Sequence, residues 1–289
     1  MKGQAVLAVL LITAVIVTVV LSVVSYSVTD VTLSSKEEEA LRAFSAAEAG
    51  IERALVGDIT VSSGEVSIGE SKYNVAVSSE PISNRQFVYP APVASGDTAT
   101  VWFVSHDNTT LELSCKDLLC FKGDGGQIQV CWGDSGVSPT PALVVEIYYS
   151  QPPGEKGSLY VARDSIDPVA TRRAVNRFSE PGSGTCTIGG VTFANQKIIN
   201  FDSLGIPQSS YRASGGLVLI TLRLLYNSEP QSVGVNAAYG ANTALPAQGR
   251  LIQSSGVSGE ANRKIEVFRL YPEVPSIFSG VYSPLDLVK

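Results

Sequence analysis

Residues Ala5 to Val24 form a run of twenty with no charge, built mainly from Val, Leu, Ile and Ala. At about 1.5 Å per residue such a run spans the roughly 30 Å hydrocarbon core of a bilayer. In lipid the backbone must satisfy its own hydrogen bonds, so a helix is expected despite the many β-branched residues. A cleaved secretory signal has a shorter apolar region, roughly 7–15 residues, and ends at a small-residue site of the Ala-x-Ala kind. The run here is longer, and Ser22-Val23-Val24-Ser25-Tyr26-Ser27 offers no such site. A retained transmembrane helix over residues 5–24 is expected.

Charge sets its orientation. Lys2 precedes the run, whereas Asp30 and Glu37 to Glu39 follow it with only Lys36 to offset them. Positive charge stays on the cytoplasmic side, so the N-terminus is inside and the rest of the chain is exported. Leu217–Leu225 is too short to cross a bilayer. The chain therefore reads as a single-pass protein of the cytoplasmic membrane with a large extracytoplasmic part.

The helix should extend well past the bilayer. Leu41, Phe44, Ile51 and Leu55 recur at helical spacing as an apolar stripe, interrupted at Glu48 and supplemented by Ala40, Ala43 and Ala47. Ser25 to Ser35, rich in Ser, Thr and Val, is where a break would fall, and Ser35-Lys36-Glu37-Glu38 fits a capping box should the helix restart there. Gly57 and Asp58 are expected to end it. A continuous helix from Gln4 to Val56 would be about 80 Å long.

Beyond Gly57 the period changes from 3.6 to 2. Glu65–Ile68 and Ser71–Val77 read as a hairpin turning at Gly69-Glu70. Further strands are expected at Thr100–Ser105, Gln127–Trp132, Leu143–Tyr149, Leu159–Arg163, Lys197–Asn200, Leu217–Leu225, Arg250–Ser254 and Lys264–Leu270. Leu143, Val145, Ile147 and Tyr149 share one face, and Leu217–Ile220 is apolar on both. Asp167-Pro168 could open a short helix through Arg177. The roughly 230 residues of this part suffice for one large β domain or two small ones. The fold class expected is α+β: residues 4–56 a long N-terminal transmembrane and amphipathic helix, residues 57–289 a mainly antiparallel β head.

A net charge of −6 argues against a nucleic-acid partner, because phosphate binding needs clustered Lys and Arg. The one basic cluster, Arg172, Arg173 and Arg177, reads as a solvated face. Cys115, Cys120, Cys131 and Cys186 all lie in the exported part, where disulfides are favoured. Spacings of five, eleven and fifty-five do not form paired zinc knuckles. The close trio suggests a bridge from Cys131 to Cys115 or Cys120, the remaining one reaching Cys186.

Catalytic patterns are not found. The single histidine, His106, falls where a surface turn is expected. There is no Gly-x-Ser-x-Gly elbow, phosphate-cradling loop or His-Glu-x-x-His. Gly123-Asp124-Gly125-Gly126 lacks the spaced carboxylates of a calcium loop and reads as a hairpin turn. Asn108-Thr109-Thr110 matches a glycosylation acceptor. No enzyme activity, cofactor or metal is expected.

Lys2-Gly3-Gln4, the apolar helix and Ala46-Ala47-Glu48-Ala49-Gly50-Ile51-Glu52 together resemble type IV pilin-like proteins, in particular minor pilins of the PilX type. The resemblance covers about the first 57 residues. It implies that residues 1–3 are a short basic leader, cut by a prepilin peptidase after Gly3, so that Gln4 becomes the first residue and is methylated. Members usually carry Phe or Met at that first position and Glu at the fifth; this chain has Gln4 and Ala8. In the family that Glu is thought to neutralise a neighbouring subunit's N-terminal amine, and its absence resembles minor subunits placed at a filament tip. Val130-Cys131-Trp132-Gly133, Pro141–Val145, Gln248–Ile252 and the Tyr271–Phe278 end also look like larger heads of this group.

Two functions are therefore expected to compete. One is a minor pilin-like subunit, stored in the lipid bilayer, assembled with other pilin subunits through its helix and displayed on a cell-surface pilus, its head meeting an unknown surface ligand. The other is a permanently anchored surface adhesin or receptor that never enters a filament.

Overall fold

The computed structural model describes residues 2–57, 64–79, 85–107, 110–116, 119–155, 158–238 and 244–275. One helix, α1, runs unbroken over Lys2–Val56. Ser25 to Ser35 neither loosens nor recaps the helix. Gly57 ends it with φ +95° and donates its N–H to Ala54 O at 3.2 Å, a close that an L side chain would resist.

Among the described residues fifteen strands follow. The first six are β1 Val66–Ile68, β2 Ser71–Ser79, β3 Gln86–Val88, β4 Thr98–Trp102, β5 Ser105–His106 and β6 Leu113–Ser114. Then come β7 Gln127–Asp134, β8 Ala142–Ser150, β9 Leu159–Ile166, β10 Cys186–Ile188 and β11 Val191–Asn200. The last four are β12 Leu217–Leu225, β13 Val233–Asn236, β14 Gly249–Ser258 and β15 Ala261–Leu270. Two short helices, α2 Ala170–Asn176 and α3 Gln208–Tyr211, lie between them.

The chain divides into two compact units, one of Met1–Ser78 with Leu251–Phe268 and one of Ser79–Arg250 with Arg269–Lys289. In the first, the sheet order is β1-β2-β14-β15, and the β1–β2 hairpin turns at Gly69, φ +58°, as its sequence demands. Its core joins Ala46, Ile51 and Ala54 of α1 to Tyr73, Val75 and Ile252 of the sheet.

The second unit packs a five-stranded sheet, β10-β11-β7-β13-β3, on a four-stranded one, β4-β12-β8-β9, with antiparallel pairings in both. Period-two alternation sends Leu143, Val145 and Ile147 of β8 and Ile128, Val130 and Trp132 of β7 into one buried cluster between the sheets. Leu217–Ile220 is buried throughout, as befits a strand flanked on both sides. The mainly antiparallel, α+β character read from the sequence is present.

Four expectations are corrected here. Cys131 does not bridge to Cys115 or Cys120; the pairs are Cys115–Cys120 and Cys131–Cys186. Cys131 alternates with Val130 and Trp132, so it faces away from the sandwich core, into a small cluster with Cys186, Ile188 and Phe193. Cys115 and Cys120 instead pack with Val104, Val218 and Leu219 beside the other sheet.

His106 is not a surface turn. It lies in β5, buried, between Trp102 and Tyr271. The arginine cluster is a solvated face only at Arg177, which is exposed; Arg172 and Arg173 instead donate to Asp167, just after β9, and hold α2 there. Nor is Gly123–Gly126 a hairpin: its turn, closed by Gly126 N–H to Gly123 O at 2.8 Å, leads into β7 without pairing β7 to β6.

Candidate functional site

Two halves of α1 meet different surroundings. From Leu10 to Val24 its Leu, Ile and Val side chains stand exposed, between 53% and 64%. This is one helix long and apolar enough to cross a membrane, among the described residues. Both of its threonine hydroxyls are turned onto the helix itself, Thr13 donating to Leu10 O at 3.0 Å and Thr18 to Val15 O at 2.8 Å, and just beyond Thr29 donates to Ser25 O at 2.8 Å. That local bonding hides polar groups which would otherwise be costly in hydrocarbon. Gly3 and Gln4 lie in the first turns of α1 and Ala8 one turn later. Their side chains fall outside the described ones.

The second half of α1 is built into the first unit's sheet by Ile51 and the alanine side of the expected stripe, with Leu41, Phe44 and Leu55 left outside. Ala43, Ala46, Ala47, Ile51 and Ala54 are buried, while Leu41 and Phe44 are exposed at 68% and 43%. The selection is steric. A Cβ on Gly256 of β14 would overlap the carbonyl of Ala43 and the amide of Ala47, and one on Gly50 would overlap Ser254, Val75 and Tyr73. Helix and strand approach so closely that only small residues fit between them. Arg42 pairs with Glu38 at 2.6 Å and Glu70 at 2.5 Å, and the Glu39 carboxylate accepts the Glu260 N–H at 3.1 Å. The Ala46-Ala47-Glu48-Ala49-Gly50 stretch is thus the part of α1 that the sheet reads.

In the second unit, Asp167 is fully buried and receives Arg172 at 2.7 Å, with further hydrogen bonds from the Val169 N–H and the Asn176 amide. Burial alone would raise the Asp167 carboxyl; the bonds from Arg172, Val169 and Asn176 outweigh it and hold the group below its ordinary range. Arg172 also donates to Thr140 O and lies over the Tyr226 ring at 4.8 Å. This is a structural lock.

A segment from Tyr271 to Pro275 crosses the outer face of β4. Val274 N–H donates to Thr100 Oγ1 at 3.3 Å, Trp102 Nε1–H to Pro272 O at 3.2 Å, and the Tyr89 hydroxyl to Glu273. The Gln248 side chain accepts the Trp102 N–H at 2.7 Å and donates to Trp102 O at 2.8 Å, closing that edge of the sheet as a neighbouring strand would. His106 stacks on Tyr271, and its Nδ1 is buried without a partner. Burial, with the nearby positive charge of Arg250, lowers the imidazole to about 4, so it is neutral at pH 7.

A cavity of about 240 Å³ opens where β8 ends and β9 and β12 begin, with Val104, Leu113, Cys115, Leu159, Gly215 and Val218 among its walls and Glu155 at its rim. Sequence reading missed it because its walls come from segments more than a hundred residues apart. Cys115, in one wall, was singled out from sequence only as a disulfide candidate. Asn108 and Thr109 of the glycosylation pattern, and the end of the chain beyond Pro275, lie outside the described residues.

Comparison of the chain with protein-family models, with curated proteins and with solved structures finds no match.

Proposed function

We propose that this chain is a minor pilin-like subunit of a type IV pilus or related filament, of the PilX type, whose β-rich part makes surface contacts and carries out no catalysis. The observation that carries the reading is the two-part helix α1: apolar and outward-facing over Leu10–Val24, then built into a sheet over Ala43–Ala54. A helix of this kind has two suitable surroundings, lipid or the matching helices of other subunits, so one segment serves storage and assembly. The two disulfides support a β part located in an oxidising, extracytoplasmic compartment.

Ala8 supplies no carboxylate at the fifth position after the proposed cut between Gly3 and Gln4. A buried amine without its partner is strongly disfavoured, so such a subunit is poorly suited to repeat along a shaft. A rare tip or initiating position follows.

N-terminal mass spectrometry of membrane and sheared-surface fractions tests this. The expected mature chain begins at Gln4 with a methylated amine and occurs in both fractions at low abundance. A chain that keeps Met1-Lys2-Gly3 and never leaves the membrane fraction is instead a permanently anchored surface binding protein. A dominant shaft subunit also overturns the minor-pilin reading.

A further inference from the structure

The four-stranded sheet ends at β9, and among the described residues no strand pairs with its outer edge over Leu159–Arg163. The direction of its backbone groups follows from its far end, where Ser179 N–H donates to Ser165 O at 2.7 Å and Asp167 N–H donates to Ser179 O at 3.0 Å. Odd-numbered residues therefore turn their N–H and C=O away from β8, and those of Leu159, Val161 and Arg163 face outward. The side chains of these three lie on the sheet face opposite the sandwich core, since Ala162 and Ile166 occupy the core side. The cavity opens on that same outer face, with Leu159 in its wall and the exposed carboxylate of Glu155 at its rim.

Within the second unit the other edges are treated differently. At β4 the Gln248 amide answers the Trp102 backbone, at the far end of β9 Ser179 does so, and β3 and β10 are only three residues long. Covered or short edges are the usual protection against unwanted pairing. In that unit, among the described residues, Leu159–Arg163 is a stretch left open, and unlike the outer strand β15 of the first unit it lies beside an apolar cavity.

We infer that the β9 edge binds an extended peptide segment as an added strand, a bulky apolar side chain entering the cavity beside Leu159 and a basic residue meeting Glu155. Outward backbone groups are matched by an extended main chain, which gives affinity, while a pocket for alternate side chains gives specificity. Side chains of an added strand alternate, so the one beside Leu159 falls on the cavity face. Glu155 sets the sign of the neighbouring charge. The inference stands apart from the filament reading, because an open edge recruits a strand whether α1 lies in lipid or in a fibre.

The test uses the full chain in detergent and labelled ten-residue peptides of alternating Thr and Val, flanked by Lys, with Phe, Leu, Trp or Tyr at the centre. Fluorescence anisotropy should show saturable binding for at least one of them. Val161→Pro should weaken it tenfold or more while leaving the circular dichroism unchanged, since the lost N–H points out of the ladder and proline is tolerated at such edge positions. Ser214→Trp, which narrows the cavity mouth, and Glu155→Lys should each weaken it several-fold. Absence of saturable binding across the panel overturns the inference. So does unchanged binding by Val161→Pro, which would mean that the cavity takes an apolar group without strand addition.

Discussion

The imidazole of His106 lies 4.0 Å from the phenol ring of Tyr271, centroid to centroid, with the two planes 18° apart. Trp102 meets the same imidazole edge-on at 4.6 Å. The stack holds the Tyr271–Pro275 segment, and its central ring is kept neutral by burial and by Arg250.

Stability should therefore fall in mild acid. His106 titrates near 4 when folded against about 6.5 unfolded, so between those values the unfolded chain binds the extra proton. The contribution is complete above pH 6.5 and is lost as pH falls toward 4. His106→Phe keeps a ring in the stack and should remove about 2 kcal/mol of that acid loss. Urea unfolding of both proteins at pH 7.5 and 4.5 measures the difference.

Gly256→Ala should loosen α1 from its sheet. The added methyl meets backbone, which cannot swing aside, and the cost should reach about 3 kcal/mol or more. Gly64→Ala, with nothing within 4 Å of its new carbon, is the matched control. Limited proteolysis across Ala43–Ala54 should distinguish the two variants; equal resistance contradicts the close-packing account.

The two disulfides should differ in worth and in access. Their sequence separations are 55 for Cys131–Cys186 and 5 for Cys115–Cys120. Loop-closure entropy assigns about 4 kcal/mol to the first and about 2 kcal/mol to the second. Cys131 and Cys186 are both buried, whereas in the other bridge Cys120 is buried but Cys115 is partly exposed in the cavity wall. Graded reduction followed by alkylation and peptide mapping should label Cys115 and Cys120 first. Labelling of Cys131 and Cys186 ahead of them would refute this ordering.

Asp167→Ala should destabilise the second unit by about 3 kcal/mol, because Arg172 would keep its charge and lose its buried partner. The double variant with Arg172→Met should recover much of the loss. Thermal unfolding of the single and double variants gives the coupling.

Much of the architecture can be read from periodicity. α1 and its end at Gly57, the β1–β2 hairpin, and the inward face of β8 at Leu143, Val145 and Ile147 all follow from spacing alone. What escaped was chosen by tertiary contact. The stripe of Leu41 and Phe44 looked like the buried face of α1, yet size overrode hydrophobicity, because Gly256 admits only Ala-rich helix surface. β13, Val233–Asn236, is only four residues long, too short for an alternating pattern to show. His106 reads as a polar turn residue until Tyr271, far along the chain, is seen to cover it. The cavity could not be read at all, since Val104, Leu159 and Val218 share no local pattern.

The uninterrupted course of α1 couples height to heading. Were Ala5–Val24 in lipid, the nineteen residue steps from Val24 to Ala43 would give a stand-off of about 28 Å between bilayer and sheet. Each residue added to or removed from that spacer changes the stand-off by about 1.5 Å and swings the attached sheet by about 100° around the helix axis. Spacer length thus works as a screw thread: a one-residue indel re-aims the sheet by more than a quarter turn while barely altering its altitude, and only changes near multiples of about 3.6 residues restore its bearing.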